Sequence, residues 1–284
     1  MKARLVEANG ERLARIEAKE TVVVGVNRWT EGEPSPLVAG TDAILTVDPG
    51  VESGQIARLT EWRANRDAAA VSVALARLKA AARNGDNIMP ASIEAARAGV
   101  TTGEWAGVMR AVHGEYRGPT GVARSPSNRT EGLDDIRAAV EAVSARLGRR
   151  LSFVVGKPGL DGHSNGAEQI AARARDCGME ITYDGIRLTP EAIVAAAVDR
   201  QAHVVGLSIL SGSHLPLIAE VMERMAAAGL SHVPVVVGGI IPDEDAARLR
   251  DMGVARVYTP KDFELNRIMA DIVALAGPAP LAAE

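Results

Sequence analysis

Cys177 is the only cysteine in the 284 residues, so no intrachain disulfide can form and no cysteine-built zinc site is possible. No apolar run approaches the roughly 20 residues that a transmembrane helix requires, so no membrane association is expected. An excess of either charge is also missing. The 32 Lys and Arg face 36 Asp and Glu for a formal net charge of −4. The pI near 5.8 gives no electrostatic basis for a nucleic-acid surface. The opening residues, Met1-Lys2-Ala3-Arg4, run into an amphipathic, acid-containing segment rather than a short apolar one. No secretory signal is therefore expected, and the expected location is the cytoplasm. What is present is ordinary globular material: 47% hydrophobic and 24% charged residues, with mean hydropathy +0.03. That composition excludes a disordered or fibrous chain. At roughly 100–200 residues per domain, the length suggests about two domains.

Residues 1–116 read as mostly helical. Leu5, Ala8, Leu13, Ile16 and Ala18 recur near helical spacing, with Arg and Glu between them. The β-branched run Thr21–Val26 predicts a short buried strand, followed by a turn region rich in Pro and Gly. Asp48-Pro49 predicts an N-cap and a first-turn proline. Two Ala- and Arg-rich helices follow, over about 51–66 and 67–83, weakly separated and stopped by Asn84-Gly85-Asp86. Two shorter helices are predicted over 90–99 and 102–116, with Thr102 as an N-cap and Gly99 just past a C-terminus. Residues 117–133 concentrate turn formers, including Ser125-Pro126-Ser127-Asn128, and read as an interdomain linker.

One helix, over about 133–147, leads into a second domain spanning 134–284. From Leu151 the pattern becomes strand–helix alternation. The apolar runs are 151–155, 181–183, 203–209, 233–237 and 254–258; amphipathic segments cover 167–177, 190–200, 214–228, 243–252 and 263–276. Near-continuous apolar strands between helices imply a parallel sheet covered on both faces. Five such units predict an α/β, flavodoxin-like, doubly wound five-stranded domain that binds ligands beyond its strand C-termini.

The loop after the first strand, Gly156-Lys157-Pro158-Gly159-Leu160-Asp161-Gly162-His163-Ser164-Asn165-Gly166, is long and glycine-rich for a β/α connection. No Gly-Lys-Ser/Thr closes it and its glycines are not in the GxGxxG order, so neither familiar phosphate loop is present. It does offer a histidine, an acid two residues earlier, and a lysine four residues before that acid. A carboxylate bound to one ring nitrogen fixes the tautomer and makes the imidazole a better metal ligand. Glycines let a bulky group approach the backbone. Against this stands the ordinary loop histidine that caps a helix or bonds within its loop; Lys157 reads equally as a solvated charge. His113, His203, His214 and His232 lack metal-ligand spacing and read as structural or surface residues. Cys177 lies on a predicted helix without a local base.

Asp161-Gly162-His163-Ser164-Asn165-Gly166, then Ser208-Ile209-Leu210, then Gly238-Gly239 follow strands one, three and four. That order resembles the cobalamin-binding domain shared by B12-dependent mutases and methionine synthase. The resemblance implies that His163 is the lower axial ligand of cobalt, replacing the dimethylbenzimidazole base, whose nucleotide tail would thread into the domain. It implies that Asp161 bonds His163, that Lys157 completes a Lys–Asp–His relay, and that Gly166 leaves space for the tail. Ser208, Leu210, Gly238 and Gly239 would line the base pocket, with Gly162, Ser164, Ser211, Tyr258 and Thr259 completing the cofactor set. For Ser208 and Leu210, simple strand-end packing is an equal reading.

The resemblance extends upstream. Leu13-Ala14-Arg15-Ile16-Glu17, Val23-Val24-Gly25-Val26-Asn27-Arg28, Ser35-Pro36-Leu37 and Gly103-Glu104-Trp105 are similar to the last part of the catalytic chain of acyl-CoA mutases. Within that family, residues 156–169 are most similar to the ethylmalonyl-CoA mutases. The implied cofactor is adenosylcobalamin and the implied reaction a radical carbon-skeleton rearrangement, ethylmalonyl-CoA to methylsuccinyl-CoA first and methylmalonyl-CoA to succinyl-CoA next. The acyl-CoA-binding barrel of such enzymes is missing from this sequence, so no catalytic residue is assigned here and a barrel-carrying mutase chain is the implied partner. Residues 1–116 would pack against that barrel and expose an apolar patch alone. A G-protein chaperone for cofactor loading and a homo- or hetero-oligomer are further implied. The rival readings are a non-catalytic corrinoid carrier or B12 sensor, and a receiver-like signalling domain. The receiver reading needs an acid cluster at the strand ends, which Gly156-Lys157 and Leu207-Ser208 do not supply.

Overall fold

The computed structural model describes residues 1–31, 48–122 and 132–277. By contacts the chain divides into two compact units, Met1–Gly32 with Arg117–Glu284, and Glu33–Tyr116. The segments Ser35-Pro36-Leu37 and Ser125-Pro126-Ser127-Asn128 lie outside the described residues.

The smaller unit holds α2 (Pro49–Asn65), α3 (Ala68–Asn84), α4 (Ile88–Arg97) and α5 (Thr102–His113). Its helix ends are set by side chains. Asp48 accepts from the Gly50 amide, and Asp67 accepts from Ala69 and Ala70, which makes the α2–α3 break definite where the sequence pattern is weak. Gly85, at φ +76°, ends α3 in the left-handed region. Thr101, rather than Thr102, caps α5. Its hydroxyl accepts from the Glu104 amide at 3.3 Å and the Glu104 carboxylate accepts from the Thr101 amide at 2.8 Å, a reciprocal capping box. Thr102 is displaced by one position because only Thr101 stands three residues before Glu104.

The larger unit contains α1 (Lys2–Glu17), α6 (Leu133–Leu147), and then β1 (Ser152–Gly156), α7 (Asn165–Asp176), β2 (Glu180–Thr182), α8 (Pro190–Asp199), β3 (Val204–Ile209), α9 (His214–Ala227), β4 (Val235–Gly239), α10 (Asp243–Asp251), β5 (Arg256–Tyr258) and α11 (Leu265–Ala276). The five strands form one parallel sheet in the order β2-β1-β3-β4-β5. This is the flavodoxin-like order, in which the chain reverses direction between β1 and β3. Strand alternation sorts the core into two layers. Phe153, Val155, Val204 and Val236 point to the layer containing α6, α7 and α11, where Val140, Ala171, Met269 and Ile272 are buried. Val154, Val205, Leu207, Val235 and Val237 point to the layer of α8, α9 and α10, against Ile193, Ile218 and Leu249. Among the described residues no helix is long and apolar enough to cross a membrane.

Composition groups α1 with the later helices; contacts group it with the sheet. Val6 and Ile16 are buried, and charged or polar side chains pin both ends of α1 to α7 and α11. Lys2 reaches Glu168 at 2.8 Å, Gln169 donates to the Val6 carbonyl at 3.1 Å, and Glu17 lies 3.4 Å from Arg173 while accepting from the Leu265 amide at 2.8 Å. The expected strand over 21–26 is instead a turn. The Asn27 side chain accepts from the Val23 amide and donates to the carbonyls of Ile16 and Thr21, taking the bonds a partner strand would supply. Val24 is left largely exposed, with one isolated bridge to Arg28.

Gly206 stands in the middle of β3, where a Cβ would lie 2.7 Å from Phe153 Cζ. Gly206→Ala is expected to cost about 1–3 kcal/mol through overpacking. Gly107→Ala, inside α5 where a Cβ meets nothing within 4 Å, is expected to be neutral or to stabilise by about 0.5–1 kcal/mol. Urea unfolding of the two variants against the parent measures both.

Candidate functional site

The loop that leaves β1 is held by a buried lysine and a buried aspartate. Lys157 is fully buried, and its ammonium donates to Asp161 Oδ2 at 3.1 Å and to the Ser208 carbonyl at 3.0 Å. Asp161 accepts four hydrogen bonds. Oδ1 takes the His163 amide at 2.9 Å and the His163 ring Nδ1 at 2.8 Å; Oδ2 takes Lys157 and the Leu210 amide at 2.8 Å. Burial alone would raise the pKa of this carboxyl. The amides of His163 and Leu210, the His163 ring and the Lys157 ammonium outweigh it and hold the group well below the usual carboxylate range. Asp161 is therefore ionised and can only accept, so Nδ1 carries a proton, and in the neutral ring the lone pair sits on Nε2. The imidazole is 73% exposed, and Nε2 has no hydrogen-bond partner among the described residues.

These bonds cross the point where the sheet reverses. Lys157 and Asp161 belong to the β1 loop, whereas Ser208 and Leu210 belong to the end of β3. The same loop is tied on its other side to the segment after β2: Gly159 donates to the Leu188 carbonyl and Leu188 to the Lys157 carbonyl, each at 3.0 Å. Gly159 adopts φ +80°, and a Cβ there would lie 2.6 Å from Leu217.

Beside this cluster a cavity of about 520 Å³ opens between the sheet and the α7–α11 layer. Its floor is made by alternate residues of three strands: Phe153 and Val155 of β1, Gly206 and Ser208 of β3, Val236 and Gly238 of β4. Further strand and loop residues include Leu210, Gly239, Tyr258 and Thr259. Its walls are the start of α7 through Gly166 and Ile170, Ile268 and Ile272 of α11, the 259–263 loop, and Asn9, Arg12 and Leu13 of α1. A Cβ at Gly238 would meet nothing within 4 Å, and one at Gly166 only Ser208 Oγ at 4.0 Å. Gly239 answers a different need, since a Cβ there would lie 1.8 Å from the Ile209 carbonyl oxygen.

Of the residues singled out from the sequence, Gly166, Ser208, Leu210, Gly238, Gly239, Tyr258 and Thr259 share this cavity. Lys157, Asp161 and His163 form the adjoining cluster, so Lys157 is no solvated charge. Gly162, Ser164 and Ser211 are not in the cavity lining. Ser164 leaves α7 without a side-chain cap and accepts from Lys2 at 3.0 Å instead. Tyr258 donates to Asp271 at 3.3 Å, and burial raises its pKa. His214, read as structural or surface, is buried, with Nε2 2.8 Å from Asp245. His203 accepts from the Ser152 amide, and burial lowers its pKa. Burial pushes the Cys177 thiol up to about 11, which suits an inert core residue. Sequence reasoning missed Phe153, Gly206 and the α1 residues as cavity lining. A glycine inside an apolar strand run was the available signal for Gly206.

Comparison with known proteins adds the following. Residues 1–115 match the family model described as methylmalonyl-CoA mutase, and residues 151–263 the one described as a B12 binding domain. Ethylmalonyl-CoA mutase of Cereibacter sphaeroides is 72% identical over 100% of this chain, which covers 43% of that protein. Ethylmalonyl-CoA mutase of Methylorubrum extorquens is 57% identical over 96% of this chain and 39% of its own length. Methylmalonyl-CoA mutase of Cereibacter sphaeroides is 34% identical over 91% and 36%, respectively. The chain thus spans less than half the length of these relatives.

Asp161→Ala leaves the Lys157 ammonium buried without its counter-charge and is expected to cost about 3–5 kcal/mol, most of it recovered when Lys157→Met is added. The pH dependence has a defined sign. A carboxyl whose folded pKa lies below its unfolded value, about 3.9 for Asp, contributes its stability above that value and loses it as pH falls. The gap in unfolding free energy between the parent and Asp161→Asn should therefore be largest near neutrality and shrink below about pH 4. Guanidinium titrations from pH 7 to 3 measure it.

Proposed function

We propose that the chain is a member of the methylmalonyl-CoA mutase family and the cofactor-holding part of an adenosylcobalamin-dependent acyl-CoA mutase, in which His163 would hold the cobalt. The observation that carries the reading is an exposed imidazole whose Nδ1 proton is held by an ionised, buried Asp161 beside a cavity lined with glycines.

The residues present fit the group. The space where Cβ atoms would stand at Gly166 and Gly238 is open, which admits a bulky ring between sheet and helix. Among the described residues no three His, Cys, Asp or Glu side chains gather to hold a metal ion. A single imidazole suits a metal that brings its other ligands with it, as the cobalt of a corrin ring does. When bound, adenosylcobalamin supplies the homolytic cobalt–carbon cleavage that generates the hydrogen-abstracting radical.

The chain's own residues do the rest. The amides of His163 and Leu210, the His163 ring and the Lys157 ammonium together keep Asp161 ionised; Asp161 keeps a proton on Nδ1 and the imidazole fixed in place; Nε2 is left to coordinate. Ser208, Leu210, Gly238, Gly239, Tyr258 and Thr259 would border the displaced base, and Gly162, Ser164 and Ser211 would stand at the edges of the site rather than in the cavity. Residues 134–284 form the cofactor domain on this reading. The acyl-CoA-binding barrel lies outside the sequence, in a longer chain or a partner. Conversion of ethylmalonyl-CoA to methylsuccinyl-CoA is the favoured reaction, because identity to the two ethylmalonyl-CoA mutases is 72% and 57%, against 34% to the methylmalonyl-CoA mutase of Cereibacter sphaeroides. A cytoplasmic location, a G-protein loading chaperone and an oligomeric assembly belong to the same proposal and rest on the family alone.

The test is the visible spectrum of the purified chain titrated with adenosylcobalamin and, separately, with methylcobalamin. The expected result is a histidine-ligated, base-displaced spectrum that His163→Ala abolishes, with preference for the adenosyl form. Preference for methylcobalamin would favour a corrinoid carrier instead. A spectrum unchanged by His163→Ala would remove the ligand assignment.

A further inference from the structure

On α1, Asn9, Arg12, Leu13 and Ile16 fall at i, i+3, i+4 and i+7 and therefore share one face. Ile16 is buried and the other three line the cavity. That face has a fixed orientation, because Lys2–Glu168 and Ser164 hold one end of the helix, Gln169 holds its first turns, and Glu17 holds the other end against Arg173 and Leu265. The cavity so closed is mainly apolar, and its charges are few. Among the described residues, Arg12 is the only lysine or arginine in the lining, and it has no carboxylate partner there. Asp262 is the only carboxylate among the described lining residues, and it is engaged by the amide and hydroxyl of Thr259 at 2.8 and 3.3 Å.

An apolar cavity with one uncommitted cation at its border fits a ligand with an aromatic end and a single negative charge. The nucleotide tail of cobalamin has that make-up: a dimethylbenzimidazole ring joined through ribose to a phosphodiester of one negative charge. We propose that Arg12 pairs with this phosphodiester, an assignment that rests on the cofactor reading above. The segment ahead of the B12-binding region then supplies one wall and the counter-charge of the tail site. A guanidinium presents a planar, forked set of donors that matches a phosphate in geometry as well as charge.

The test compares adenosylcobalamin with adenosylcobinamide, which keeps the corrin and cobalt but lacks the nucleotide. Dissociation constants are read from the visible spectrum for the parent, Arg12→Met and Arg12→Lys. Arg12→Met should weaken adenosylcobalamin about tenfold and leave adenosylcobinamide unchanged, as loss of one charge-assisted contact implies. Arg12→Lys should recover part of the loss, and the difference should narrow at high salt. Equal weakening of both corrinoids, or of neither, would overturn the assignment while leaving His163 as ligand intact. Failure of the parent to bind either corrinoid would overturn the cofactor reading itself, a separate result.

Discussion

A single buried carboxylate organises the site. Asp161 receives an ammonium, two backbone amides and an imidazole N–H, contributed by the loop after β1 and by the residue just past β3. An ion pair out of water is costly unless its remaining bonding capacity is satisfied. Here the two oxygens are fully committed, and the lysine spends a second donor on the Ser208 carbonyl. The two loops that flank the reversal point of the sheet are thereby one unit, and His163 inherits its orientation from it. An imidazole on a free loop would sample many rotamers; this one has a fixed ring nitrogen and a fixed tautomer.

The cavity beside it follows from strand alternation. Positions facing the α7–α11 layer run Phe153, Val155 on β1, then Val204, Gly206, Ser208 on β3, then Val236, Gly238 on β4. Toward the C-terminal edge these side chains shrink to glycine and serine, so the helices cannot close on the sheet there. On the opposite face, Leu207, Ile209 and Val237 remain large and that layer packs shut. One sheet thus has a sealed face for stability and a thinned face for binding, at the end of the strands where a doubly wound domain places its ligands.

Much of this was legible in the residues. Five apolar runs between amphipathic segments specify the parallel sheet, because buried strands and helices carry different periods. Asp161 and His163 stand out through their spacing and their glycine neighbours. Lys157 was ambiguous, since nothing local distinguishes a solvated lysine from one whose acceptors include a carbonyl 51 residues away. The run Thr21–Val26 misled because β-branched residues favour extended backbone only when a neighbouring strand accepts them. There Asn27 supplies the hydrogen bonds instead. The amphipathic face of α1 was visible, but its destination was not. That depends on Glu168, Gln169 and Arg173, polar residues buried on α7 whose α1 partners lie more than 150 positions away.

The central claim is that Asp161 holds the His163 proton on Nδ1 and leaves Nε2 free to coordinate. Nitrogen-15 NMR of the neutral His163 ring reads this directly. The account predicts a protonated Nδ1, an unprotonated Nε2, and a change on adding adenosylcobalamin that falls mainly on Nε2. A ring protonated at Nε2, or a spectrum that the cofactor leaves unaltered, would contradict it.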